Sequence, residues 1–165
     1  EHALDPAYAA AQLDWEGELA FVVGKQAYQV PEAEAESYIA GYSVMNDYTM
    51  RDYQYRTLQW DQGKTFEKTS VFGPFLTTTA SYTFGGALVT TLDGQVVQTT
   101  TTDDLVFTPA KLVEYISHIV TLQPGDVLRL GCDLARPLAR AGDRIEISAP
   151  GFATLGNTLV AEVAA

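Results

Sequence analysis

Along this chain of 165 residues, apolar side chains recur mostly in short runs with a two-residue period, punctuated by glycine, proline and asparagine. That is the pattern of a sheet-rich fold. "LDWEGELAFVV" (13–23) opens the series, with Leu13, Trp15, Leu19, Phe21 and Val23 on one side, and Gly24 closes the strand "WEGELAFVVG". "YSVMN" alternates into "DYTMRDYQ", and "ALVTTLDGQVVQTT" reads as a hairpin around Asp93-Gly94. "QPGDVLRLG", "AGDRIEIS" and "PGFATLGNTLVAEV" finish the chain as turn-punctuated strands. Two stretches carry helical signals instead. In "VPEAEAESYIAGY", Pro31 suits the first helical position, Glu32, Glu34 and Glu36 form a solvated face near the positive end, and Gly41 can terminate the helix. In "TPAKLVEYISHIVTL", Thr108 is the N-cap and Pro109 the first residue. An apolar stripe of Leu112, Val113, Ile116, Ile119 and Val120 then predicts a helix to about Val120. Residues 1–12 are a polar, alanine-rich lead-in, and there is no repeat or linker. The expectation is one β-rich α+β domain over 1–165.

Composition narrows the partners. Ten Lys and Arg against twenty-one Asp and Glu give a formal charge of −11, which opposes binding to nucleic-acid phosphates or anionic membranes and favours cations or small molecules. The single cysteine, Cys132, excludes an intrachain disulfide and fits a cytoplasmic protein. There is no apolar run of membrane-spanning length and no signal peptide. The sequence opens at Glu1 without a methionine, which fits removal of an N-terminal segment.

The candidate chemistry starts with Glu16 and Glu18. Positions i and i+2 of a strand share a face roughly 7 Å apart, so both carboxylates project together and Asp14 joins them. Like charges on one face repel, and a cation between them would reverse the sign; a solvated edge-strand face is the alternative. Asp47 ends a strand, with Arg51 and Gln54 at helical spacing beyond it, although Asp47 and Arg51 also read as a surface ion pair. Glu16, Glu18 and Asp47 would give all-oxygen ligation, which suits Mg²⁺ or Mn²⁺. In "QWDQGKTFEK", Lys64 follows a glycine and precedes Phe66, where it is either simply solvated or held against apolar surface to stabilise an enolate.

The ordered set "WEGELAFVVGK", "AGYSVMNDYTMRDYQ", "LQWDQGKTFEKTSVFGPFL", "TTDDLVFTPAKLVEYIS" and "LQPGDVLRLG" closely resembles the catalytic domain of the fumarylacetoacetate hydrolase family, from about Leu13 to the C-terminus. The resemblance implies a mixed-sheet roll with two main helices and a Mg²⁺- or Mn²⁺-dependent enzyme, often a homodimer. The substrate it implies is a 2-oxo or 1,3-dicarbonyl acid, acted on by C–C hydrolysis, decarboxylation or tautomerisation through a metal-bound enolate. Carried over by motif, Glu16, Glu18 and Asp47 are the metal ligands, Lys64 is the catalytic lysine, and Arg51 and Gln54 bind substrate.

The sequence also departs from that pattern. The family's hydrolases take a His-Glu pair from a lid well upstream of the E-x-E strand, whereas this sequence starts fifteen residues before Glu16. Where the family has a Gly-Thr loop after "PGDV", this chain has "GCDLARPLARAGD", with Cys132 in the threonine's place. Either these pieces are lost or lie outside this sequence, or the pocket is rebuilt. If the sequence is complete, decarboxylation or tautomerisation is favoured over hydrolysis; the other class is a repurposed scaffold that binds metal or ligand without hydrolase activity. His118 reads as a surface residue, Cys132 as a small buried hydrophobe, and the tyrosines between Tyr38 and Tyr55 as core or dimer surface. Gly73-Pro74 reads as a turn entering a strand, and Thr99 to Thr102 as an exposed β segment.

Overall fold

A computed structural model describes residues 2–4, 12–132 and 137–161. In chain order its elements are β1 (His2–Leu4), β2 (Leu13–Asp14), β3 (Gly17–Val23), α1 (Glu32–Ala35), β4 (Ile39–Asp47), β5 (Thr49–Met50), α2 (Arg51–Gln54), β6 (Ser70–Thr78), β7 (Ala87–Leu92), β8 (Gln95–Thr101), α3 (Pro109–Ser117), β9 (Val127–Arg129), β10 (Arg144–Ser148) and β11 (Leu155–Ala161). One sheet runs β6-β4-β3-β9 and the other β1-β11-β10-β7-β8, with β2 and β5 forming a two-stranded ribbon. The β1–β11 pair is parallel and the rest are antiparallel. This is the expected β-rich α+β architecture. Among the described residues no helix is long and apolar enough to cross a membrane.

The alternation read from the sequence is the alternation of the core. Leu19, Phe21 and Val23 of β3 pack with Val44, Val113 and Ile147 in one buried cluster, while Leu13 and Trp15 join Tyr48, Met50, Ile145 and Leu159 in a second. The Asp93-Gly94 hairpin forms as expected, with φ of 49° and 79° at the two turn residues, the left-handed pair a type I′ turn requires. The Thr108 side chain accepts a hydrogen bond from the Lys111 amide and Pro109 opens α3.

Several boundaries differ from expectation. The 13–23 strand is interrupted at Trp15 and Glu16, so that β2 joins the small ribbon and β3 the four-stranded sheet. The first helix is one turn of α followed by a 3-10 turn that ends at Tyr38, and Gly41 lies in β4 instead of capping it. A Cβ at Gly41 would stand 2.3 Å from the Thr77 carbonyl oxygen, so that glycine serves a close strand approach. α3 stops at Ser117, leaving Ile119 and Val120 70% and 54% exposed; Val113 carries the buried face with Leu112 and Ile116 beside it. Gly73-Pro74 falls inside β6, where β4–β6 pairing changes register. The lead-in contains β1; of residues 5–11 nothing is described. In the 99–102 stretch Thr102 is buried.

Candidate metal centre

The centre forms where β3 begins and β4 ends. The two strands are antiparallel with Gly17 opposite Asn46 and Glu18 opposite Met45, so the start of one lies beside the end of the other, and Glu16, Glu18 and Asp47 meet there. Backbone geometry fixes them. The Asp47 amide donates to the Glu16 carbonyl at 3.0 Å, and the Glu16 amide donates to Asn46 Oδ1 at 3.1 Å. The glycine between the two glutamates is dictated by packing: a Cβ at Gly17 would lie 2.1 Å from Thr90 Oγ1 and 2.8 Å from Gln98 Oε1, on the second sheet.

Three cations are set among the acids. Arg51 donates through Nε to Asp14 Oδ2 and through Nη2 to Glu16 Oε1, each at 2.7 Å, and through Nη1 to Gln54 Oε1 at 2.8 Å. Lys64 Nζ bridges Glu16 Oε2 and Asp47 Oδ2, the latter at 2.6 Å. Arg129 pairs with the other oxygen of Asp47. Glu18 is the exception. It is 3% exposed, accepts one hydrogen bond, from the Gly131 amide to Oε2 at 2.9 Å, and has no ion-pair partner among the described residues.

The titration behaviour follows from those partners. Burial pushes Glu18 from its ordinary value near 4.5 up to about 7; the Gly131 amide opposes the rise, and the charges of Glu16 and Asp47 add to it. Burial also works to raise Glu16, but Lys64 and Arg51 more than reverse it and hold that carboxyl below its usual range. At Asp47 burial prevails, and Lys64 and Arg129 only partly offset it. Arg129 also acts on Glu18 from a distance, against the rise; a buried carboxylate with no direct ion pair among the described residues, next to two others, is a charge pattern that a divalent cation would relieve.

An open cavity of about 510 Å³ lies over the cluster, lined by all six expected site residues (Glu16, Glu18, Asp47, Arg51, Gln54 and Lys64) together with Tyr55, Trp60, Arg129, Gly131 and Cys132. Its size is typical of small-molecule sites. The structure therefore brings together all six of the site candidates read from the sequence. It also refines them: Arg51 is committed to Asp14, Glu16 and Gln54, so it holds Glu16 in place, and Lys64 sits among carboxylates instead of against apolar surface. The expected surface pairing of Asp47 with Arg51 is not formed; both are buried, with other partners.

Trp60, Arg129 and Gly131 were not among the candidates, and Cys132 was noted only as standing in the threonine's place. Arg129, Gly131 and Cys132 arrive because β9 pairs with β3 and the ladder continues past it, with the Leu130 amide donating to the Leu19 carbonyl at 3.0 Å. The default of Cys132 as a buried hydrophobe is corrected: it is half-buried at the cavity wall. Glu16, Glu18 and Cys132 are a set of three possible ligands whose donor atoms all lie within 4.8 Å of one another. His118 is exposed, its Nδ1 2.7 Å from the Glu114 carbonyl oxygen. Tyr42 and Tyr48 are core, whereas Tyr55 is on the cavity rim.

Fold and site together define a β-rich roll with a cavity at the end of its central strand pair, lined by three carboxylates and three cationic side chains. The chain belongs to the fumarylacetoacetate hydrolase family: residues 4–160 match the family described as fumarylacetoacetate (FAA) hydrolase C-terminal. A Dictyostelium discoideum protein named fumarylacetoacetate hydrolase domain-containing protein 2 homolog is 38% identical over 132 residues, covering 73% of this chain and 43% of its own length. The crystal structure of 5-carboxymethyl-2-hydroxymuconate delta-isomerase from Mycobacterium smegmatis superposes with a TM-score of 0.88 at 34% identity, over 94% of this chain and 62% of that one. Fumarylacetoacetate hydrolase from the psychrophile Exiguobacterium antarcticum gives a TM-score of 0.91 at 27% identity, over 98% and 61%. The chain spans about half the length of the curated relatives it matches, from 43% to 61%.

Proposed function

We propose that this chain is the catalytic domain of a divalent-metal-dependent enzyme acting on a 2-oxo or 1,3-dicarbonyl acid. Glu16, Glu18 and Asp47 are the carboxylates that would hold Mg²⁺ or Mn²⁺. The observation that carries the reading is Glu18, a buried carboxylate facing the cavity with no cationic partner among the described residues, beside two more acids. When bound, the ion supplies Lewis-acid polarisation of a substrate carbonyl.

The chain's own residues do the rest. Lys64 places a positive charge at the carboxylate cluster, where negative charge develops as an enolate forms. Arg51 fixes the Glu16 carboxylate, and Gln54, whose carbonyl oxygen is taken by Arg51, turns its amide group to substrate. Tyr55 and Trp60 offer aromatic faces to a planar dicarbonyl at the rim. An electron sink serves decarboxylation and tautomerisation directly, whereas hydrolysis also needs a positioned water; the names of the similar isomerase and hydrolase support both arms of this chemistry. A homodimer is supported by the family and by exposed apolar side chains such as Phe75 and Leu76 on the edge strand β6. A cytoplasmic setting is supported by the one cysteine, which forms no disulfide.

The test assays oxaloacetate and an acylpyruvate with Mg²⁺ and with Mn²⁺. Metal-dependent turnover of either, lost in Lys64→Ala with the fold retained, is the expected result. Activity that persists in Lys64→Ala removes the role given to that lysine. No turnover on either acid, with metal binding intact, moves the assignment to a scaffold that binds metal without this chemistry.

A further inference from the structure

We infer that Cys132 is a ligand of this centre, and that the ion it prefers is a borderline transition ion of the Co²⁺–Zn²⁺ kind over Mg²⁺. The inference rests on the metal-centre reading above and changes its donor set. The nearest trio of possible ligands is not the all-oxygen one: Glu16, Glu18 and Cys132 present donor atoms within 4.8 Å of one another. Two donors on one ion, at about 2.0–2.3 Å each, can stand about 4.5 Å apart at most, so the trio lies within a few tenths of an ångström of the span of a common ion. Both oxygens of Asp47 are engaged by Lys64 and Arg129, as both of Glu16 are by Arg51 and Lys64, so only Glu18 of the three acids has no ion-pair partner among the described residues.

The backbone that presents Cys132 is tied to the one of the three carboxylates that has no ion-pair partner among the described residues. Leu130 continues the β9 ladder onto Leu19, the Gly131 amide donates to Glu18 Oε2 at 2.9 Å, and Gly131, at φ 86°, turns the chain so that Cys132 comes next on the cavity wall. Glu18, 3% exposed, is thus a buried acid aimed into the same cavity as the thiol. Two carboxylates alone suit hard ions, whereas a sulfur donor shifts the preference toward softer ones, and affinity for a given site rises from Mn²⁺ through Co²⁺, with Zn²⁺ above Mn²⁺. Binding replaces the S–H bond by a sulfur–metal bond and releases that proton to solvent.

The experiment titrates the chelator-treated, reduced protein with Co²⁺ and reads both the heat of binding and the near-ultraviolet thiolate-to-cobalt charge-transfer band. Because Cys132 is the only cysteine, such a band can come from no other residue. The expected result is a band in the parent and none in Cys132→Ser, which still binds Co²⁺. Affinity for Zn²⁺ should fall in that variant by at least the ~10- to 100-fold that losing a supporting residue costs, with Mg²⁺ affinity within a few-fold of the parent. Co²⁺ binding without a band in the parent, abolished by Glu18→Gln, overturns the thiolate ligand and leaves the carboxylate centre standing. No heat with Co²⁺, Mn²⁺ or Mg²⁺ removes both.

Discussion

Replacing Glu18 by glutamine should stabilise the metal-free protein and at the same time blunt its response to metal. In the native protein this carboxyl is 3% exposed, without a cationic partner among the described residues, and pushed up to about 7. A folded-state value above the ordinary one near 4.5 means that the folded chain holds the proton more tightly than the unfolded chain. The group's contribution to stability is therefore full below pH 4.5, is lost as pH rises toward 7, and stays lost above. At 1.36 kcal/mol per pH unit, the rise is worth about 3 kcal/mol at most, and relaxation and water reduce it. Glutamine is neutral at every pH and keeps an oxygen to accept from the Gly131 amide. At pH 8 in chelator, Glu18→Gln should therefore be more stable than the parent by about 1–3 kcal/mol, or roughly 3–10 °C in Tm. The gap should shrink to under about 1 kcal/mol at pH 5. Added Mn²⁺ at a hundred times its Kd should stabilise the parent by about 2.7 kcal/mol and the variant by much less. Thermal melts at pH 5 and pH 8, with and without Mn²⁺, check all of this. A variant less stable than the parent at pH 8 in chelator would refute the account of Glu18 as an uncompensated buried charge.

Other expectations concern the supports of the site. Arg51→Met should cost about 3–5 kcal/mol in denaturant unfolding, because it removes the cation paired with the buried Asp14 and leaves Glu16 to Lys64 alone; a loss under 1 kcal/mol would show that solvent and Lys64 already compensate them. Gly17→Ala should cost about 1–3 kcal/mol and weaken metal binding together with stability, since its methyl would meet the Thr90 hydroxyl and the Gln98 side chain. Calorimetry that finds metal affinity unchanged would separate the glycine from the placement of the two glutamates.

What could be read from the sequence was local. Glu16 and Glu18 share a face because strand side chains alternate, Asp47 marks a strand end, and Arg51 and Gln54 meet at i, i+3; each follows from a period within one short segment. Asp93-Gly94 and Thr108-Pro109 were legible for the same reason. Arg129 was not, and Cys132 was visible only as a substitution in a loop resembling the family's, because only the pairing of β9 with β3 brings them to the acids and no spacing in "VLRLGC" points to partners so far upstream. Gly41 was misread as a helix stop because its cause, the approach of the Thr77 carbonyl across the sheet, is also long-range.

The register between β3 and β4 carries a consequence for insertions and deletions. Gly17 faces Asn46 and Glu18 faces Met45, and because side chains alternate, a slip of one residue would send Glu18 into the apolar cluster and Leu19 toward the cavity. The segment from Glu16 to Val23 should therefore accept substitution on either face far more readily than any change of length. Residues 137–143 lie outside the strands and are under no such arithmetic. Length changes in 137–143 should therefore be tolerated, while the spacing of the two glutamates stays locked by the β3–β4 register.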